Sequence, residues 1–272
     1  MGRAKRSAKA SDPLWEGIRA EVAADAEREP VLAPFLQGAV LDHERLEDAL
    51  AHLLAASLAT DAVPARALRA VIAEAFGADP AIGAAVRADL RAVRERDPAC
   101  VALAVPLLYF KGFHALEAWR VAHWLFGRGR QALARWLQNR ISEVFGADIH
   151  PAARIGSGIL VDHGSGVVIG ETAVIEDDVS LLHEVTLGGT GKQTGDRHPK
   201  IRAGVLIGAG AKLLGNVVVG EGAKIGAGSV VLADVPPHST VAGVPARVVG
   251  REAAEKPALE MDHRLPDPKA GA

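Results

Sequence analysis

The stretch IGSGILVDHGSGVVIGETAVIEDDV, from Ile155 to Val179, places an aliphatic or small residue at every sixth position. The same spacing begins at Ile149 and resumes, after an interruption, at Ile201. The full set is Ile149, Ile155, Val161, Val167, Ala173, Val179 and Val185, then Ile201, Ile207, Leu213, Val219, Ile225 and Val231. A period of six predicts a parallel β-helix in which each hexad supplies one short strand and one turn. With three hexads per coil, we expect a triangular prism of about four coils.

A β-sandwich with short strands is the alternative architecture, and it predicts strict alternation and turns of variable length. Here the period stays at six. Glycine also follows the repeated aliphatic residue directly at Gly156, Gly208, Gly220 and Gly226. Because glycine permits tight turns where a side chain would clash, this pattern favours the β-helix.

The region before the repeat, 11–146, is rich in Ala, Leu, Arg and Glu, which are good helix formers. Helix starts are indicated where an aspartate, which caps helix N-termini, precedes a proline. Such pairs begin at Asp12, Asp79 and Asp97. Gly77 and Gly146 are expected to end helices. We expect a domain of roughly six to eight helices, preceded by a flexible arm at 1–10.

The chain has 272 residues, a formal net charge of −2 and a single cysteine, Cys100. This charge gives no electrostatic reason to expect nucleic acid or an anionic membrane as a partner. One cysteine excludes an intramolecular disulfide and fits the reducing cytosol. The longest apolar run, Ala99–Phe110, is too short to span a bilayer. We therefore expect a cytoplasmic protein, with a flexible proline-containing tail at 251–272.

The repeat is interrupted within GGTGKQTGDRHPKI, Gly188–Ile201. One hexad begins at Val185 and the next at Ile201, so ten extra residues, 191–200, are expected to project from the prism. The glycines and the lysine resemble a phosphate-binding loop, but that motif requires glycine where Thr186 stands and a strand-to-helix setting. A long interruption of a strict repeat is typical of a functional loop. The sequence thus predicts a mobile flap.

Four stretches together carry a resemblance to a known family: DPAC…PLLYFKGFHALEAWR, DIHPAARIGSGILVDHGSGVVIGETAVI, LGGTGKQTGDRHPKIRAGV and AGVPARVVG. They resemble the serine O-acetyltransferases, which are hexapeptide-repeat acyltransferases, over roughly Trp15 to Gly250. The resemblance implies an α+β fold, with an N-terminal α-helical domain at 11–146 and a C-terminal left-handed parallel β-helix at 147–250. It also implies transfer of acetyl from acetyl-CoA, as co-substrate, to the hydroxyl of L-serine in cysteine biosynthesis. No metal or permanently bound cofactor is implied.

Acetyl transfer to an alcohol needs a base that removes the hydroxyl proton as the oxygen attacks the thioester. By resemblance, His163 in VDHGSG is the catalytic histidine, and Asp148 in ADIHPA is the aspartate that orients it. The two lie a little less than one predicted coil apart, so contact between neighbouring coils is expected. The family's DHATG motif reads DHGSG here, a change between small residues. We expect direct attack by serine in a ternary complex.

The resemblance also implies which residues bind the two substrates. The serine-binding residues are Asp97, Asp162, Arg197 and His198. A guanidinium suits the carboxylate of serine because it can donate two parallel hydrogen bonds. The acetyl-CoA-binding residues are Gly189, Ala209, Lys224 and Ala227. His183, about one coil beyond His163, is a candidate to line the same groove. Without the family, any one of these histidines is more often structural than catalytic.

The family works as trimers of prisms that pair through their helical domains, so we expect a homotrimer that forms a dimer of trimers. Many relatives end in isoleucine, which docks into O-acetylserine sulfhydrylase, the next enzyme of the pathway. This chain ends in Ala272, and that departure argues against the same complex.

Three other functions fit parts of the pattern. An acyltransferase for a sugar or an antibiotic would keep the fold and acetyl-CoA, but the long helical half argues against it. A carbonic anhydrase of the same fold would use His163 and His183 as zinc ligands, and metal analysis would distinguish it. A non-catalytic scaffold would leave the flap and the histidine without a role.

Overall fold

A computed structural model of the chain describes residues 12–191, 194–252 and 254–265. The predicted arm at 1–10 and the terminal Ala272 lie outside these residues. Within them, a region of α-helices is followed by three sheets of short, mainly parallel strands. None of the helices in this part of the chain is long and apolar enough to cross a membrane.

The helical region ends at Phe145. Its α-helices are α1 Pro13–Arg28, α2 Ala33–Leu36, α3 Leu46–Leu58, α4 Ala65–Ala78, α5 Pro80–Arg96, α6 Ala104–Tyr109, α7 Lys111–Gly127 and α8 Gln131–Phe145, with a π-helical segment, Gln37–Leu41, after α2. Two predicted starts are confirmed, because the Asp12 carboxylate accepts a hydrogen bond from the N–H of Trp15 and that of Asp79 from the N–H of Ala81. Each satisfies an N–H of the first turn that has no partner within the helix.

The third Asp-Pro pair does not begin a helix. Asp97 directly follows α5, and its carboxylate accepts a hydrogen bond from the N–H of Ala99 at 2.8 Å. The next helix begins only at Ala104, so Asp97 closes a turn instead of capping a helix. Gly146 ends α8 in the left-handed conformation (φ 78°), as predicted, whereas α4 continues past Gly77.

The second half is a parallel β-helix whose three sheets are the faces of a prism. Its strands are β1 Asp148–Ile149, β2 Arg154–Ile155, β3 Leu160–Val161, β4 Val168–Ile169, β5 Val174–Ile175, β6 Ser180–Leu181, β7 Thr186–Gly188, β8 Lys200–Ile201, β9 Leu206–Ile207, β10 Lys212–Leu214, β11 Val218–Val219, β12 Lys224–Ile225 and β13 Val230–Val231. Sheet A has the order β1-β4-β7-β10-β13, sheet B β11-β8-β5-β2, and sheet C begins with β3-β6-β9-β12. An antiparallel hairpin, β14 Ser239–Gly243 and β15 Ala246–Arg251, completes sheet C.

The coils are not all of one length, which corrects the predicted register. A coil without inserted residues advances by 18, as from Lys200 to its partner Val218. The first advances by 20, from Asp148 to Val168, so two extra residues precede β4. The coil that contains the long loop advances by 26, from Val174 to Lys200. The ten extra residues expected in one loop are therefore divided between two turns, two in the first and eight in the second.

The short insertion is invisible in the sequence because each hexad has two inward positions. Val167 and Ile169 are both buried, one just before the strand and one within it. The period of six follows strand residues as far as Val161, then the residues before the strands from Val167 to Val185, and strand residues again from Ile201. Every position in the predicted repeat from Val161 onward is buried, but the middle four do not belong to strands.

Within the tail that the sequence predicts to be flexible, 251–272, the described residues 254–265 include a segment that packs on the protein. A short helix, α9 Pro257–Glu260, lies against sheet C, and the N–H of Ala258 donates to the carbonyl of Gly204. The ammonium of Lys256 lies 2.7 Å from the carboxylate of Asp178. Pro257 and Ala258 of α9 are buried. The segment therefore has fixed contacts, which its proline content does not reveal.

A buried charge network joins the two domains. The Asp89 carboxylate in α5 accepts hydrogen bonds from Nε of Arg120 in α7, at 3.0 Å, and from the N–H of Ile159 in the first coil, at 2.8 Å. Nη2 of Arg120 also donates to the carbonyl of Gly156. We call Asp89, Glu117 and Arg120 the junction cluster; it holds both α5 and α7 to the first coil of the prism.

Candidate active site

His163 lies in the turn between β3 and β4, where the two extra residues occur. Its φ of 59° is in the left-handed region, which residues other than glycine seldom adopt. Gly164 and Gly166, on either side of Ser165, also have positive φ. The His163 side chain is 70% exposed. A non-glycine residue held in this conformation within an inserted turn is typical of a functional position.

The start of α7 packs directly against this turn. A Cβ atom built on Gly112 would lie 2.1 Å from the carbonyl oxygen of Val161, and one on Gly164 would lie 2.8 Å from the Cα of Gly112. The Lys111 ammonium donates to the Ser165 hydroxyl. Backbone therefore touches backbone, and the helical domain sets the position of the His163 turn.

A pocket of about 440 Å³ opens beside the turn. It is lined by Asp97, Ala99, Tyr109, Phe110, Lys111, Gly112, Asp162 and His163. Oδ1 of Asp162 lies 3.8 Å from Nε2 of His163. The structure thus brings together three predicted site residues, Asp97 from the helical domain and Asp162 and His163 from the prism. Their combination gives two carboxylates and one imidazole in a single concave site, which suits a small cationic or amphoteric substrate.

The other candidate partners of His163 occupy different places. The ring of His183, in the turn between β6 and β7, meets the ring of His163 edge-on, with centroids 5.6 Å apart. The Asp148 carboxylate accepts a hydrogen bond from Nε2 of Gln138 at 2.7 Å. This bond joins Asp148 to Gln138 and not to His163. The role of Asp148 in orienting His163 therefore stays a prediction.

Arg197 and His198 lie at another corner of the prism, against the turn between β4 and β5. Nη2 of Arg197 is 2.7 Å from Oε2 of Glu171, and Nδ1 of His198 bonds Thr172. Burial, with the nearby positive charges of Arg197 and Lys200, lowers the pKa of His198. Gly189 lies beside this group, since a Cβ atom there would be 3.6 Å from Nε2 of His198.

This arrangement modifies the predicted flap. The ammonium of Lys200 contacts Asp196 at 2.5 Å and donates to the carbonyls of Thr172 and His198, and Lys200 itself begins β8. The end of the loop, from Asp196 to Lys200, is therefore held against the prism, so this part of the predicted flap does not project. Lys192, predicted to be on the flap, lies outside the described residues.

The residues predicted to bind acetyl-CoA are divided as well. Ala209 and Ala227 occupy successive turns between sheets C and A, where a Cβ atom on Gly208 would lie 2.6 Å from the backbone nitrogen of Ala227. Such closeness leaves room for backbone contacts only. Lys224 is buried, and its ammonium lies 3.3 Å from the carboxylate of Glu252. A phosphate at Lys224 would have to compete with this ion pair, a contact that the sequence did not suggest.

Most of the predicted site residues of the prism therefore belong to two corners, whereas Asp148 and Lys224 lie in β1 and β12. The turns between sheets C and A, which we call the His163 corner, carry His163, His183, Ala209 and Ala227. The turns between sheets A and B, the His198 corner, carry Gly189, Arg197 and His198. Sheet A separates these corners within one chain. Within one chain, the two sets of residues therefore do not share one pocket.

A larger cavity, of about 670 Å³, lies on the far side of α7, between α5 and the turns that join sheets B and C. Its wall includes Trp119, Trp124 and Arg128 but none of the predicted site residues. Within the described residues, no three histidine, cysteine, aspartate or glutamate side chains are grouped as metal ligands.

Comparison with known proteins matches both halves of the chain. Residues 14–118 match the model of the serine acetyltransferase N-terminal region, and residues 198–233 match the bacterial transferase hexapeptide repeat. The serine acetyltransferase of Salmonella typhimurium is 59% identical over 252 residues, which are 93% of this chain and 92% of that protein. The chain belongs to the serine acetyltransferase family.

Solved structures of serine acetyltransferases have the same fold. The crystal structure from Vibrio cholerae O1 superposes with a TM-score of 0.91 at 59% identity, covering 92% of this chain and 97% of that one. That from Brucella abortus, in complex with coenzyme A, has a TM-score of 0.88 at 52% identity and covers 90% and 98%. The predicted family is confirmed, as is a helical domain followed by a left-handed β-helix.

Most of the pocket residues that the sequence motifs did not indicate come from one stretch. Tyr109, Phe110, Lys111 and Gly112 line the pocket with Asp97. They belong to PLLYFKGFHALEAWR, which carried the resemblance but has no catalytic side-chain pattern. A glycine beside a lysine at a helix start was the available signal, and its partner turn, about fifty residues later, could not be inferred from spacing.

Gly112→Ala is expected to impair this serine acetyltransferase by moving the His163 turn. The added Cβ atom meets backbone, which cannot yield as a flexible side chain can. We expect a loss of about 1–3 kcal/mol in the free energy of unfolding and of roughly tenfold to a hundredfold in kcat/KM for serine. Urea unfolding and steady-state kinetics measure the two effects.

Gly127→Ala, at the other end of the same helix, is the matched control. A Cβ atom there has nothing within 4 Å, so the change should be neutral or stabilising by up to about 1 kcal/mol. Equal behaviour of the two variants would show that the close contact of Gly112 is unimportant.

Proposed function

We propose that this chain transfers the acetyl group of acetyl-CoA to the hydroxyl of L-serine, giving O-acetyl-L-serine and CoA. It is an acyltransferase of the serine acetyltransferase family, with acetyl-CoA as co-substrate. The observation that carries the proposal is the pocket in which Asp97, Asp162 and His163 meet. Two carboxylates can receive the ammonium group of serine while the imidazole reaches its hydroxyl.

His163 would act as the general base. As the serine oxygen attacks the thioester carbonyl carbon, the imidazole takes the hydroxyl proton, a C–O bond forms, and the C–S bond breaks when the tetrahedral intermediate collapses. The imidazolium can then return the proton to the departing sulfur. Asp148 is proposed to orient His163 in the assembled site. The exposure of the His163 side chain supports this role, since both substrates need access to it.

The remaining serine contacts would come from a neighbouring copy. Arg197 and His198 lie across sheet A from His163, and a trimer would set the His198 corner of one prism against the His163 corner of the next. Arg197 can then bind the serine carboxylate with the guanidinium donors that Glu171 leaves free. We propose a homotrimer, paired into a dimer of trimers through the helical domains.

Acetyl-CoA would lie along the His163 corner. Ala209 and Ala227 would offer backbone to the pantetheine arm, and His183 would line the groove beside His163. Gly189, at the His198 corner of a neighbouring copy, would lie close to the thioester. Lys224 is proposed to meet a phosphate through exchange of its partner Glu252. The enzyme would work in the cytoplasm, in cysteine biosynthesis.

The test is release of free thiol from acetyl-CoA with a panel of acceptors. L-Serine is expected to give rapid release, whereas L-alanine, which lacks only the hydroxyl, should give the rate of buffer alone. Faster release with a sugar or an aminoglycoside than with L-serine would overturn the proposed acceptor. Mass spectrometry of the product checks that the acetyl group is on the serine oxygen.

A further inference from the structure

Thr172 lies in the turn between β4 and β5, where the long loop returns to the prism. Its hydroxyl oxygen accepts hydrogen bonds from the backbone N–H groups of Arg197, at 3.0 Å, and His198, at 3.1 Å. The same oxygen lies 2.8 Å from Nδ1 of His198. A hydroxyl has two acceptor positions and one proton. Because both acceptor positions are occupied, its proton is left to donate, and the two acceptors near it are Nδ1 and the carboxylate of Asp196.

The backbone N–H of Thr172 donates to the same nitrogen of His198, at 3.1 Å. A ring nitrogen that accepts hydrogen bonds cannot carry a proton, so neutral His198 carries its proton on Nε2. Protonation of Nδ1 would set it against the backbone N–H of Thr172, which cannot turn away. The lowered pKa of His198, caused mainly by burial, agrees with a neutral ring.

The ring of His198 is also held on its other side. A Cβ atom built on Gly170 would lie 2.1 Å from Nε2, so the ring rests on the glycine backbone and occupies space that a side chain would fill. Nε2 makes no hydrogen bond with any of the residues that the structure describes. The result is one fixed N–H donor, directed along the side of Gly170 and Gly189, without a partner of its own.

We propose that Thr172 is a positioning residue for substrate binding, which holds His198 as a fixed Nε2–H donor for the carboxylate of serine. The inference rests on the proposed function, in which His198 binds serine. A neutral donor in one tautomer can meet a carboxylate without first releasing or rotating a proton. Since Thr172 also binds the backbone of Arg197, one side chain sets both groups that would receive the carboxylate.

Thr172→Val tests the inference because valine keeps the branched shape and the backbone N–H but removes the hydroxyl. We expect the KM for L-serine to rise about tenfold, which is the effect of roughly one lost hydrogen bond. The kcat and the KM for acetyl-CoA should stay within about twofold, and Thr172→Ser should restore the KM for L-serine. Ser157→Ala is the control, because Ser157 makes the equivalent hydroxyl contact, to Asp177, at the corner without site residues.

A double-mutant cycle decides whether Thr172 acts through His198. In the His198→Ala background, Thr172→Val should raise the KM for L-serine by clearly less than it does in the wild type, because only its contact with the backbone of Arg197 remains to be lost. Independent, multiplicative effects would overturn the positioning role, as would a Thr172→Val variant whose two KM values change equally. If His198→Ala alone keeps the wild-type KM, the inference fails with the assignment of His198 to serine. The proposed activity is then unaffected, because the acceptor panel tests it separately.

Discussion

His163→Ala is expected to lower kcat with L-serine by about 10²- to 10⁴-fold, the usual contribution of a general base. Affinity for CoA should change by less than about twofold, because the imidazole acts on the hydroxyl of serine and is not proposed to bind CoA. The side chain is largely exposed, so its removal leaves no cavity in the core. Thiol release at saturating substrates gives kcat, and calorimetry with CoA gives the affinity.

His238→Ala is the matched control for this experiment. His238 is another histidine in the left-handed conformation, with φ 50° against 59° for His163, and it lies in the turn that precedes β14. Both substitutions place alanine at a position with positive φ, but only His163→Ala removes the proposed base. Turnover retained by His163→Ala, or lost equally in His238→Ala, would contradict the role of His163.

Arg120→Met is expected to lower the free energy of unfolding by about 3–5 kcal/mol, the range for removing one partner of a buried ion pair. Methionine fills similar space but leaves the fully buried carboxylate of Asp89 without its guanidinium. The junction cluster joins α5 and α7 to the first coil. We therefore also expect the distance between Asp97 and His163 across the pocket to become more variable. Urea unfolding at pH 7 and fixed protein concentration measures the change.

Glu117→Gln is the control within the same cluster. Complete burial, reinforced by the negative charge of Asp89, raises the pKa of the Glu117 carboxyl well above its ordinary value of 4.5. This direction of the pKa shift favours the neutral carboxyl in the folded protein, so we expect the change to glutamine to cost little at pH 7. Because the unfolded chain ionises this group, the wild type loses stability as pH rises from 4.5 towards the folded-state pKa, and the variant should lose less. A Glu117→Gln variant as unstable as Arg120→Met would show that the ionised carboxylate is needed.

The fold class could be predicted because the repeat is dense and strict, whereas its exact register could not. Val167 and Ile169 are both buried and aliphatic, so a count by six passes from one to the other without a visible break. The packed C-terminal segment was missed for a different reason. Its contacts, such as Lys256 with Asp178, join residues far apart in sequence, and local composition does not report them.

The candidate site could be predicted one residue at a time but not as an arrangement. Motif resemblance identified Asp97 and His163, and the structure places both in one pocket. The resemblance could not indicate that sheet A separates Arg197 from His163. When coils differ in length, the order of turns along the chain does not show which corner each one occupies. The ion pair of Lys224 with Glu252 was likewise hidden, since it depends on how β15 folds back.

The unequal coil lengths also bear on how such a chain can change in evolution. Deleting or duplicating a unit of 18 residues would leave every later side chain on its own face, whereas the insertion of one residue within a strand would turn outward residues into the core. Only the corners can absorb an irregular number of residues. Both irregular insertions, of two and of eight residues, lie at corners, and each carries a predicted substrate-binding or catalytic histidine. The places that tolerate insertion are thus the places where new chemistry can arise without disturbing the stack.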